Sequence, residues 1–271
     1  MKILITGHQG FIGQNMVAHL QASHDVEVWD YVPNTVPDCS AYDWVVHLGA
    51  ISSTTETDVE LVMQQNLDFS MRLLQICDMQ GTNLQYASSA SVYGPWKHFV
   101  EDAPLLPQSP YAWSKYLFDR FVTLHNDFDI LVQGFRYFNV YGPHEDHKLD
   151  QASPISKFKK QAQEGEIVLF ENSSECKRDF VYVGDVCNIH EQFMSKDVSG
   201  IFNLGTGLPT SFESIAKAYE KKYNCNINYI PMPEQLKSQY QYYTCANLDK
   251  LKSHIDYKFT NVLDYIKEDT K

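Results

Sequence analysis

The sequence predicts an α/β protein with a doubly wound parallel sheet, a shortened segment after its second strand and a smaller C-terminal domain. Three observations carry this prediction. A short β-branched run at residues 2–6 leads directly into a glycine-rich loop and a helical stretch. Strand-like runs recur at 26–30, 43–48, 84–94 and 130–136, with longer stretches between most of them. Such β–α alternation is typical of a parallel sheet covered by helices on both faces.

Composition limits the class of protein. The chain has 271 residues, 44% of them hydrophobic, and a net charge of −12, which argues against a nucleic-acid-binding surface. No apolar run approaches the ~18 residues of a membrane span, and no signal peptide precedes the first strand. The six cysteines include no Cys-x-x-Cys pair, which indicates reduced thiols. We therefore expect a cytoplasmic protein that binds neither nucleic acid nor membrane, and we predict no metal site.

The glycine-rich loop predicts a dinucleotide site. Gly7, Gly10 and Gly13 follow the first strand at once and open a helix that runs to about Ala22. Glycines permit the tight turn, let the backbone approach a pyrophosphate and let the helix pack against the sheet. The free N–H groups at the helix N-terminus then point at the phosphates.

The second strand predicts which dinucleotide binds. It ends at Asp30, beyond Gly13, where a carboxylate can hydrogen-bond the adenosine ribose. The 2′-phosphate of NADP needs a nearby cation, yet no Lys or Arg occurs between Lys2 and Arg72. This gap favours NAD over NADP.

The chain between the second and third strands is unusually short. Only residues 31–42 separate Asp30 from the third strand, where a doubly wound domain normally places a helix and a further strand. Pro33 and Pro37 disfavour a helix there. We therefore expect a trimmed sheet edge, followed after the third strand by one long amphipathic helix over 56–80.

A serine at the end of the fourth strand and a Tyr-x-x-x-Lys helix predict an acid–base site. Ser109-Pro110 is a helix start signal, a capping hydroxyl followed by a proline at the first helical position. On that helix Tyr111 and Lys115 are four residues apart and share one face. We expect Lys115 and an oxidised nicotinamide ring to lower the pKa of Tyr111, because cations favour the phenolate. Ser89 is placed to hydrogen-bond a reacting oxygen beside the phenol.

With these motifs in order, the chain resembles the extended short-chain dehydrogenase/reductase superfamily, among its nucleotide-sugar epimerases and dehydratases. Longer segments resemble the ADP-L-glycero-D-manno-heptose 6-epimerase family: 47–56 (HLGAISSTTE), 134–143 (GFRYFNVYGP), 177–185 (KRDFVYVGD), 200–207 (GIFNLGTG) and 229–240 (YIPMPEQLKSQY). The similarity covers nearly the whole chain apart from the stretch after Asp30. It implies a Rossmann fold, a nicotinamide dinucleotide as the cofactor, a nucleotide-diphosphate sugar as the substrate and a homo-oligomeric assembly.

The resemblance also implies roles for individual residues. Ser89 and Tyr111 match the family's hydroxyl partner and its tyrosine acid/base, and Lys115 matches its cofactor-ribose lysine. Lys148 matches its second acid/base, which acts on the opposite face of the sugar carbon. The neighbouring His147 titrates nearer neutrality and is the rival base.

Cofactor and substrate contacts are expected at a wider set of positions. Those for the cofactor are Gly7, Gly10, Phe11, Ile12, Gly13, Asp30, Tyr31, Leu48, Gly49, Ala50, Ser52, Asn66, Tyr111, Lys115 and Val140. Those for the substrate are Ser89, Asn139, Lys148, Lys157, Phe170, Ser173, Arg178 and Tyr240, whereas Lys159 and Lys160 are expected to be solvated. The cofactor domain is predicted to span 1–141, completed by about 179–204, and the substrate domain 142–178 and 205–271.

Of three departures from the family pattern, the first two leave the sugar and the nucleotide open, and the third, the loss of lysines for the cofactor's extra phosphate, bears on NAD against NADP. Leu149-Asp150 replaces a Gly-Ser pair, Gln239 replaces an arginine, and the segment after Asp30 lacks the family's lysines. None of these changes touches the oxidoreductive residues.

The expected reaction is epimerisation of a nucleotide sugar through a ketone that is reduced on its other face. A 4-epimerase, a net reductase and a 4,6-dehydratase are alternatives. Such dehydratases carry Asp-Glu directly after the active hydroxyl, where this chain has Ala90-Ser91. A non-catalytic NAD-sensing module is the alternative outside enzymes, and such modules tend to lose the tyrosine or the lysine.

Overall fold

The computed structural model describes residues 1–53, 56–125, 127–145, 148, 151–234 and 241–268. The strands are, in chain order, β1 Lys2–Thr6, β2 Asp25–Trp29, β3 Trp44–His47, β4 Asn83–Ser89, β5 Val132–Tyr137, β6 Asn139–Tyr141, β7 Glu166–Phe170, β8 Lys177–Tyr182, β9 Gly200–Leu204, β10 Pro209–Ser211 and β11 Asn226–Ile230. The α-helices are α1 Phe11–Leu20, α2 Val59–Val62, α3 Phe69–Gln80, α4 Pro110–Leu124, α5 Pro154–Glu164, α6 Val183–Phe193, α7 Phe212–Tyr223, α8 Asp249–Lys252 and α9 Val262–Glu268.

The chain divides into two compact units. The first comprises Met1–Tyr137 with Cys187–Asn203, and the second Phe138–Val186 with Leu204–Lys271. Among the described residues of the first unit, six strands form one sheet in the order β2-β1-β3-β4-β5-β9. The neighbours from β2 to β5 pair in parallel, as the β–α alternation of the sequence predicts.

The core of the first unit follows from the apolar character of its strands. Val45 on β3 and Leu84 on β4 are fully buried, together with Leu73 and Leu74 of α3. A strand in the middle of a parallel sheet is covered on both faces, so an unbroken apolar run stabilises it. Phe69 joins this cluster, and the Trp29 ring stacks on it with centroids 5.4 Å apart.

The shortened segment after β2 contains no helix, as predicted, and β2 is the outer strand of the sheet within the described part of the chain. Val36, Cys39 and Tyr42 from this segment pack against the first unit's core. The backbone of Cys39 is fixed to the far end of α3, where its N–H donates to Gln80 Oε1 at 2.7 Å. The segment therefore covers the edge of the core that a crossover helix would otherwise cover.

The helix predicted over 56–80 is interrupted by a change of helical type. It begins as α2, continues as a π-helix over Met63–Asp68 and ends as α3. A π-turn accommodates one extra residue and is found most often at functional sites. Its buried member is Asn66, which is 1% exposed.

The second unit contains smaller sheets and its own core. Among its described residues, β10, β8 and β6 form one sheet, and β11 pairs in parallel with β7. Helices α5 and α7 begin at Ser153 and Ser211, whose hydroxyls accept backbone N–H groups of the first turn. Their buried faces meet around Ile155, Tyr219 and Ile266.

The units divide at different residues from the predicted domains. The sequence placed 138–141 and 179–186 in the cofactor domain. In the structure β6 pairs with β8 instead, with Asn139 opposite Phe180, and both strands belong to the second unit. No helix among the described residues is long and apolar enough to cross a membrane.

Candidate active site

The carboxyl ends of strands β1 to β4 lie at one edge of the first unit's sheet. Thr6 at the end of β1 is in register with Trp29 of β2 and with His47 of β3. The glycine loop after β1, Asp30 after β2 and Ser89 at the end of β4 therefore share this edge. Parallel sheets bind their ligands outside the carboxyl ends of the strands.

The glycine loop forms a cradle that admits no side chain at two positions. Gly7 has a φ of 75°, and a Cβ there would lie 2.4 Å from the backbone nitrogen of Gly49. A Cβ on Gly13 would lie 2.1 Å from the carbonyl oxygen of Gly7. Gly10 caps α1 without a side-chain hydrogen bond, so no cap side chain competes for the first N–H groups of the helix. These residues fit the pyrophosphate of a dinucleotide.

Asp30 is held against the glycine loop. Gln9 Nε2 donates to one carboxylate oxygen at 3.0 Å, and His8 Nδ1 lies 3.2 Å from the other. The Asp30 side chain is 55% exposed, so its oxygens can also accept ribose hydroxyls. A 2′-phosphate at this position would meet the carboxylate as a like charge, and the arrangement therefore fits NAD.

Asn66 fastens the loop 48–50 after β3 to the helix that carries the predicted acid/base. Its Oδ1 accepts the Ile51 N–H at 2.8 Å, and its Nδ2 donates to the Ile51 carbonyl at 2.9 Å and to Ser114 Oγ at 3.1 Å. Ser114 in turn donates to the Tyr111 carbonyl at 2.7 Å. The sequence assigned Asn66 to the cofactor, but its amide already bonds protein groups on both sides. Its geometry supports a positioning role.

A buried histidine extends this chain of hydrogen bonds to the first strand. His47 lies between two hydroxyls, with Nδ1 2.6 Å from Thr6 Oγ1 and Nε2 2.8 Å from Ser70 Oγ. Burial, and secondarily the charge of Lys115, lower the pKa of His47 to about 3. The ring is therefore neutral at physiological pH, with one nitrogen as donor and the other as acceptor.

Helix α4 begins where the sequence predicts. The Ser109 hydroxyl accepts the Ala112 N–H at 3.2 Å, and Pro110 occupies the first helical position. This register turns Tyr111 and Lys115 to one face. Lys115 is 5% exposed, and Tyr111 is partly buried.

A side-chain hydrogen bond from Ser89 acts to lower the pKa of the Tyr111 phenol. The Ser89 oxygen also accepts from Ser91, from its N–H at 3.2 Å and from its hydroxyl at 2.9 Å. With its oxygen accepting these bonds, the Ser89 hydroxyl is left to donate its own proton. That proton stabilises a phenolate at Tyr111.

The direction of the pKa shift of Tyr111 differs from the sequence-based expectation. The pKa of Tyr111 in this structure is raised, not lowered. Burial disfavours the phenolate and is the largest cause, the hydrogen bond from Ser89 opposes it, and the negative charge of Asp119 adds to the rise. The expectation counted two cations, Lys115 and an oxidised nicotinamide ring, and left out burial of the phenol itself.

Lys115 shows the opposite shift for the same reason. Burial disfavours the ammonium and lowers the pKa of Lys115 to about 8, against the charge of Asp119, which raises it. The side chain is thus still mostly protonated at neutral pH. A buried ammonium of this kind can hydrogen-bond ribose hydroxyls and stabilise a phenolate.

In the second unit, Lys148 follows a tightly anchored turn. The Glu145 carboxylate accepts the Gly142 N–H at 3.0 Å and the Ser153 N–H at 2.6 Å. The Lys148 N–H donates to the Glu145 carbonyl at 2.9 Å. Lys148 is partly buried, and burial lowers its pKa although the Glu145 charge opposes this. A lysine with a lowered pKa is better matched to proton transfer near neutrality than a solvated one.

Arg178 lies on β8 with its guanidinium held in place. It is 7% exposed, its Nη1 donates to the Lys177 carbonyl at 3.1 Å, and its plane lies over the Phe212 ring at 5.5 Å. Asn139 is partly buried on β6. A buried, stacked guanidinium is suited to a phosphate or a carbonyl oxygen of a ligand.

The turn after β7 carries two buried atoms, Asn172 Oδ1 and Ser173 Oγ, that have no hydrogen-bond partner among the described residues. Buried polar atoms are nearly always satisfied, so these two are candidates to meet a ligand. The sequence assigned Ser173 to the substrate but missed Asn172, because asparagine is common in turns. Phe170 ends β7 and is partly buried, and Lys157 is exposed on α5.

The other predicted positions are distributed between the units. At the start of α1, Phe11 is buried and Ile12 is partly buried. The Tyr31 ring lies edge-on to Phe69, with centroids 5.3 Å apart. Ser52 is exposed, and Val140 belongs to β6 of the second unit. Some predicted positions lie outside the described residues, namely Tyr240, Gln239, His147 and the pair 149–150. Within the described residues, no three His, Cys, Asp or Glu side chains cluster as metal ligands.

The model of the NAD dependent epimerase/dehydratase family matches residues 3–205. The solved structure of ADP-L-glycero-D-manno-heptose-6-epimerase from Helicobacter pylori is 30% identical, with a TM-score of 0.86 over 98% of this chain and 94% of that one. UDP-glucose 4-epimerase from Thermotoga maritima is 25% identical, with a TM-score of 0.80 over 93% of this chain and 92% of that one.

A more distant structure shows the same fold. UDP-N-acetylglucosamine 4-epimerase from Methanobrevibacter ruminantium M1 is 22% identical, with a TM-score of 0.87 over 98% of this chain and 96% of that one. The predicted fold class and the predicted cofactor are thereby confirmed. Since the family model covers most of the chain, the protein is an NAD-dependent enzyme that belongs to the NAD dependent epimerase/dehydratase family.

Proposed function

We propose that the protein is an epimerase of a nucleotide-activated sugar and that its substrate is most like ADP-glycero-manno-heptose, with inversion at an exocyclic carbon. The proposal extends the family assignment by one step, from an epimerase or dehydratase to an epimerase. The sequence segments that resemble the heptose 6-epimerases and the 30% identity to the Helicobacter pylori enzyme support this choice of sugar.

One observation carries the reaction class. Ser89, Tyr111 and Lys115 form a complete acid–base set, and Ala90-Ser91 stands where 4,6-dehydratases carry Asp-Glu. Eliminating water needs an acid and a base in addition to the tyrosine. In this chain the hydroxyl of Ser91 donates to Ser89 at 2.9 Å, which is a supporting role and supplies no carboxylate.

NAD would be held by the glycine loop, Asp30 and Lys115, and when bound it would supply reversible hydride transfer at the carbinol carbon of the sugar. Tyr111 takes the hydroxyl proton as the carbonyl forms, and Ser89 donates a hydrogen bond to the same phenol oxygen. Lys115 supplies the positive charge that favours the phenolate, since its pKa of about 8 keeps it largely protonated at pH 7. An exocyclic ketone then exposes its other face by rotation about one C–C bond.

Lys148 is proposed as the second acid/base. An inverted alcohol must receive its proton from a new direction, and one phenol fixed on a helix cannot serve both directions. The lowered pKa of Lys148 supports this role, because burial makes its ammonium a stronger acid than that of a solvated lysine. His147 remains the rival within the same loop.

The reaction class is tested with a panel of nucleotide sugars that includes both C6 epimers of ADP-glycero-manno-heptose, UDP-glucose and UDP-N-acetylglucosamine. Products are identified by mass spectrometry and NMR. We expect an isomer of unchanged mass, formed from either heptose epimer, and no reaction of the Tyr111→Phe variant. Loss of one water would make the enzyme a dehydratase, and stoichiometric use of reduced cofactor would make it a reductase.

The two-base assignment is tested with Lys148→Ala, using Lys160→Ala on α5 as a matched control for an exposed lysine. We expect Lys148→Ala to stop epimerisation while an aldehyde analogue of the substrate is still dismutated, because Tyr111 remains. Lys160→Ala should keep the wild-type rate. A change of only a few-fold in Lys148→Ala, or inactivity confined to His147→Ala, would contradict the assignment. Collapse of substrate affinity with normal turnover at saturation would make Lys148 a phosphate contact.

A further inference from the structure

The face of α4 that carries Tyr111 and Lys115 continues to a buried carboxylate. Asp119 follows Lys115 by one helical turn, so the three residues lie at i, i+4 and i+8 over about 12 Å. Asp119 is 1% exposed. Neither the glycine motif nor the Tyr-x-x-x-Lys motif explains a charged residue at this depth.

Asp119 is fully bonded to the neighbouring strands. One oxygen accepts from the Tyr86 hydroxyl at 3.0 Å, and the other accepts from Ser88 Oγ at 3.0 Å and from Arg136 Nε at 2.9 Å. Ser88 precedes the active serine on β4, so Asp119 ties the helix of the tyrosine to the strand of the serine.

Arg136 connects the carboxylate to a second set of polar groups. Its Nη1 donates to the Tyr93 hydroxyl at 3.0 Å and to the Glu101 carbonyl at 2.9 Å. The Tyr93 hydroxyl donates to Asn203 Oδ1 at 2.8 Å. The guanidinium is 3% exposed, so both charges of the pair are buried.

A buried ion pair is weak evidence for stability. Removing two charges from water costs several kcal/mol per ion, and apolar replacements of similar volume are often equally stable. An ion pair placed one turn beyond the acid–base residues therefore calls for another role.

We propose that Asp119 and Arg136 are positioning residues that set the charges of Tyr111 and Lys115. The carboxylate keeps Lys115 protonated inside the protein, and Arg136 limits the reach of that negative charge to Tyr111. The same bonds fix Ser88, and through it the end of β4 where Ser89 meets the phenol.

The local electrostatics agree with this role. Asp119 on α4 acts on both Lys115 and Tyr111, and Ser89 on β4 acts on Tyr111. In turn, the charge of Lys115 acts on His47 of β3 and that of Tyr111 acts on Tyr137 of β5. Burial lowers the pKa of Lys115, and the negative charge of Asp119 opposes that fall. Asp119 also raises the pKa of Tyr111.

Opposite charges at the two ends of the pair give opposite predictions. Asp119→Asn removes a negative charge and should lower the pKa of both Tyr111 and Lys115. Arg136→Gln leaves the negative charge without its partner and should raise both. If the pair were merely structural, either variant would damage the protein. The pKa of Tyr111 would then not fall in Asp119→Asn and rise in Arg136→Gln.

The test is a tyrosinate titration of the NAD-saturated enzyme by ultraviolet absorbance. Each spectrum is subtracted from that of the same variant carrying Tyr111→Phe, which isolates the signal of one phenol. We expect Asp119→Asn to lower the midpoint by about one pH unit, the Coulomb effect of one charge at roughly 10 Å and an effective dielectric of ~20. Arg136→Gln should raise the midpoint, while Asp119→Glu and Arg136→Lys, which keep the charges, should leave it near the wild-type value.

The proposal rests on the proposed function only in taking Tyr111 and Lys115 as the acid–base pair. The titration needs no substrate, so failure of every sugar in the panel would leave its outcome intact. The proposal would be overturned if Asp119→Asn and Arg136→Gln shifted the midpoint of the Tyr111 titration in the same direction. It would also be overturned if these variants folded and bound NAD but showed no shift. If Asp119→Asn does not fold, Arg136→Gln and Arg136→Lys decide the sign. If none of the charge-changing variants folds, the pair is structural and the proposal is wrong.

Discussion

Replacing Lys115 by methionine should make the NAD-free protein more stable at neutral pH and weaken its binding of NAD. The lysine is 5% exposed, and its ammonium lies where burial lowers the pKa from 10.5 to about 8. Methionine has a similar length and needs no solvation, so it can occupy the same space without a charge. The variant thus separates the cost of the buried charge from its function.

The size of the expected gain in stability follows from the pKa shift of Lys115. The pKa falls from 10.5 to about 8, and each pH unit of that fall corresponds to about 1.4 kcal/mol, so the buried ammonium costs about 3–4 kcal/mol at pH 7. Between pH 8 and 10.5 the unfolded chain holds a proton that the folded chain has released. Stability of the wild type therefore rises with pH in this window, and the advantage of Lys115→Met should vanish by about pH 10.5.

Urea unfolding followed by tryptophan fluorescence measures this effect in the relevant unit, because all four tryptophans lie within Met1–Tyr137. Lys97→Met, at an exposed position of the same unit, is the matched control and should change the free energy of unfolding by less than about 0.5 kcal/mol. The reasoning is refuted if Lys115→Met is no more stable than the wild type at pH 7, or if its advantage is the same at pH 7 and pH 10.

Three further outcomes are expected. Tyr111→Phe should reduce turnover by about 10²–10⁴-fold with NAD affinity nearly unchanged by calorimetry, and equal activity would remove the central claim. Gly13→Ala should lose NAD binding, because the new methyl would lie 2.1 Å from a backbone oxygen; Gly81→Ala, whose methyl meets open space, should keep NAD binding and is the control. His47 and His190, each with a pKa lowered to about 3, are neutral in the folded protein and charged when unfolded below about 6.5. Stability to urea should therefore fall as pH drops from 6.5 towards 3, and His190→Gln should fall less steeply; an identical pH dependence would contradict this.

Local rules were enough to predict the elements that carry the site. The helix of Tyr111 begins at Ser109 because a hydroxyl cap and a proline act within one turn, and the structure confirms both. The glycine loop was equally predictable, since the short contacts at Gly7 and Gly13 arise within a few residues of the first strand.

Features that depend on distant partners were not predictable. The π-helix contains Asn66, whose amide bonds Ile51 and Ser114, 15 and 48 residues away in sequence. A hydrophobic pattern read along the helix contains no information about these bonds. It therefore predicted one uninterrupted helix.

The charge state of the site was missed for a similar reason. The sequence shows that Lys115 is near Tyr111, but the direction of the Tyr111 shift depends on burial and on Asp119. Arg136, which neutralises Asp119, comes from another strand, 17 residues further along the chain. Spacing alone could have identified Asp119, because it continues the i, i+4 series of the motif by one turn.

The trimmed sheet has a consequence for association between copies of the chain. Strand β2 pairs with β1 on one side only within the described residues, so the sheet ends in a strand whose other backbone edge offers hydrogen bonds. Val28 on this strand is 44% exposed, which would favour pairing with another strand. Asp25 and Glu27 precede it on the same strand and are also exposed, so two such edges brought together would bring carboxylates close to each other. The crossover helix and the further strand are thus missing after β2, and repulsion between like charges on β2 disfavours pairing of this edge with the same edge of another copy.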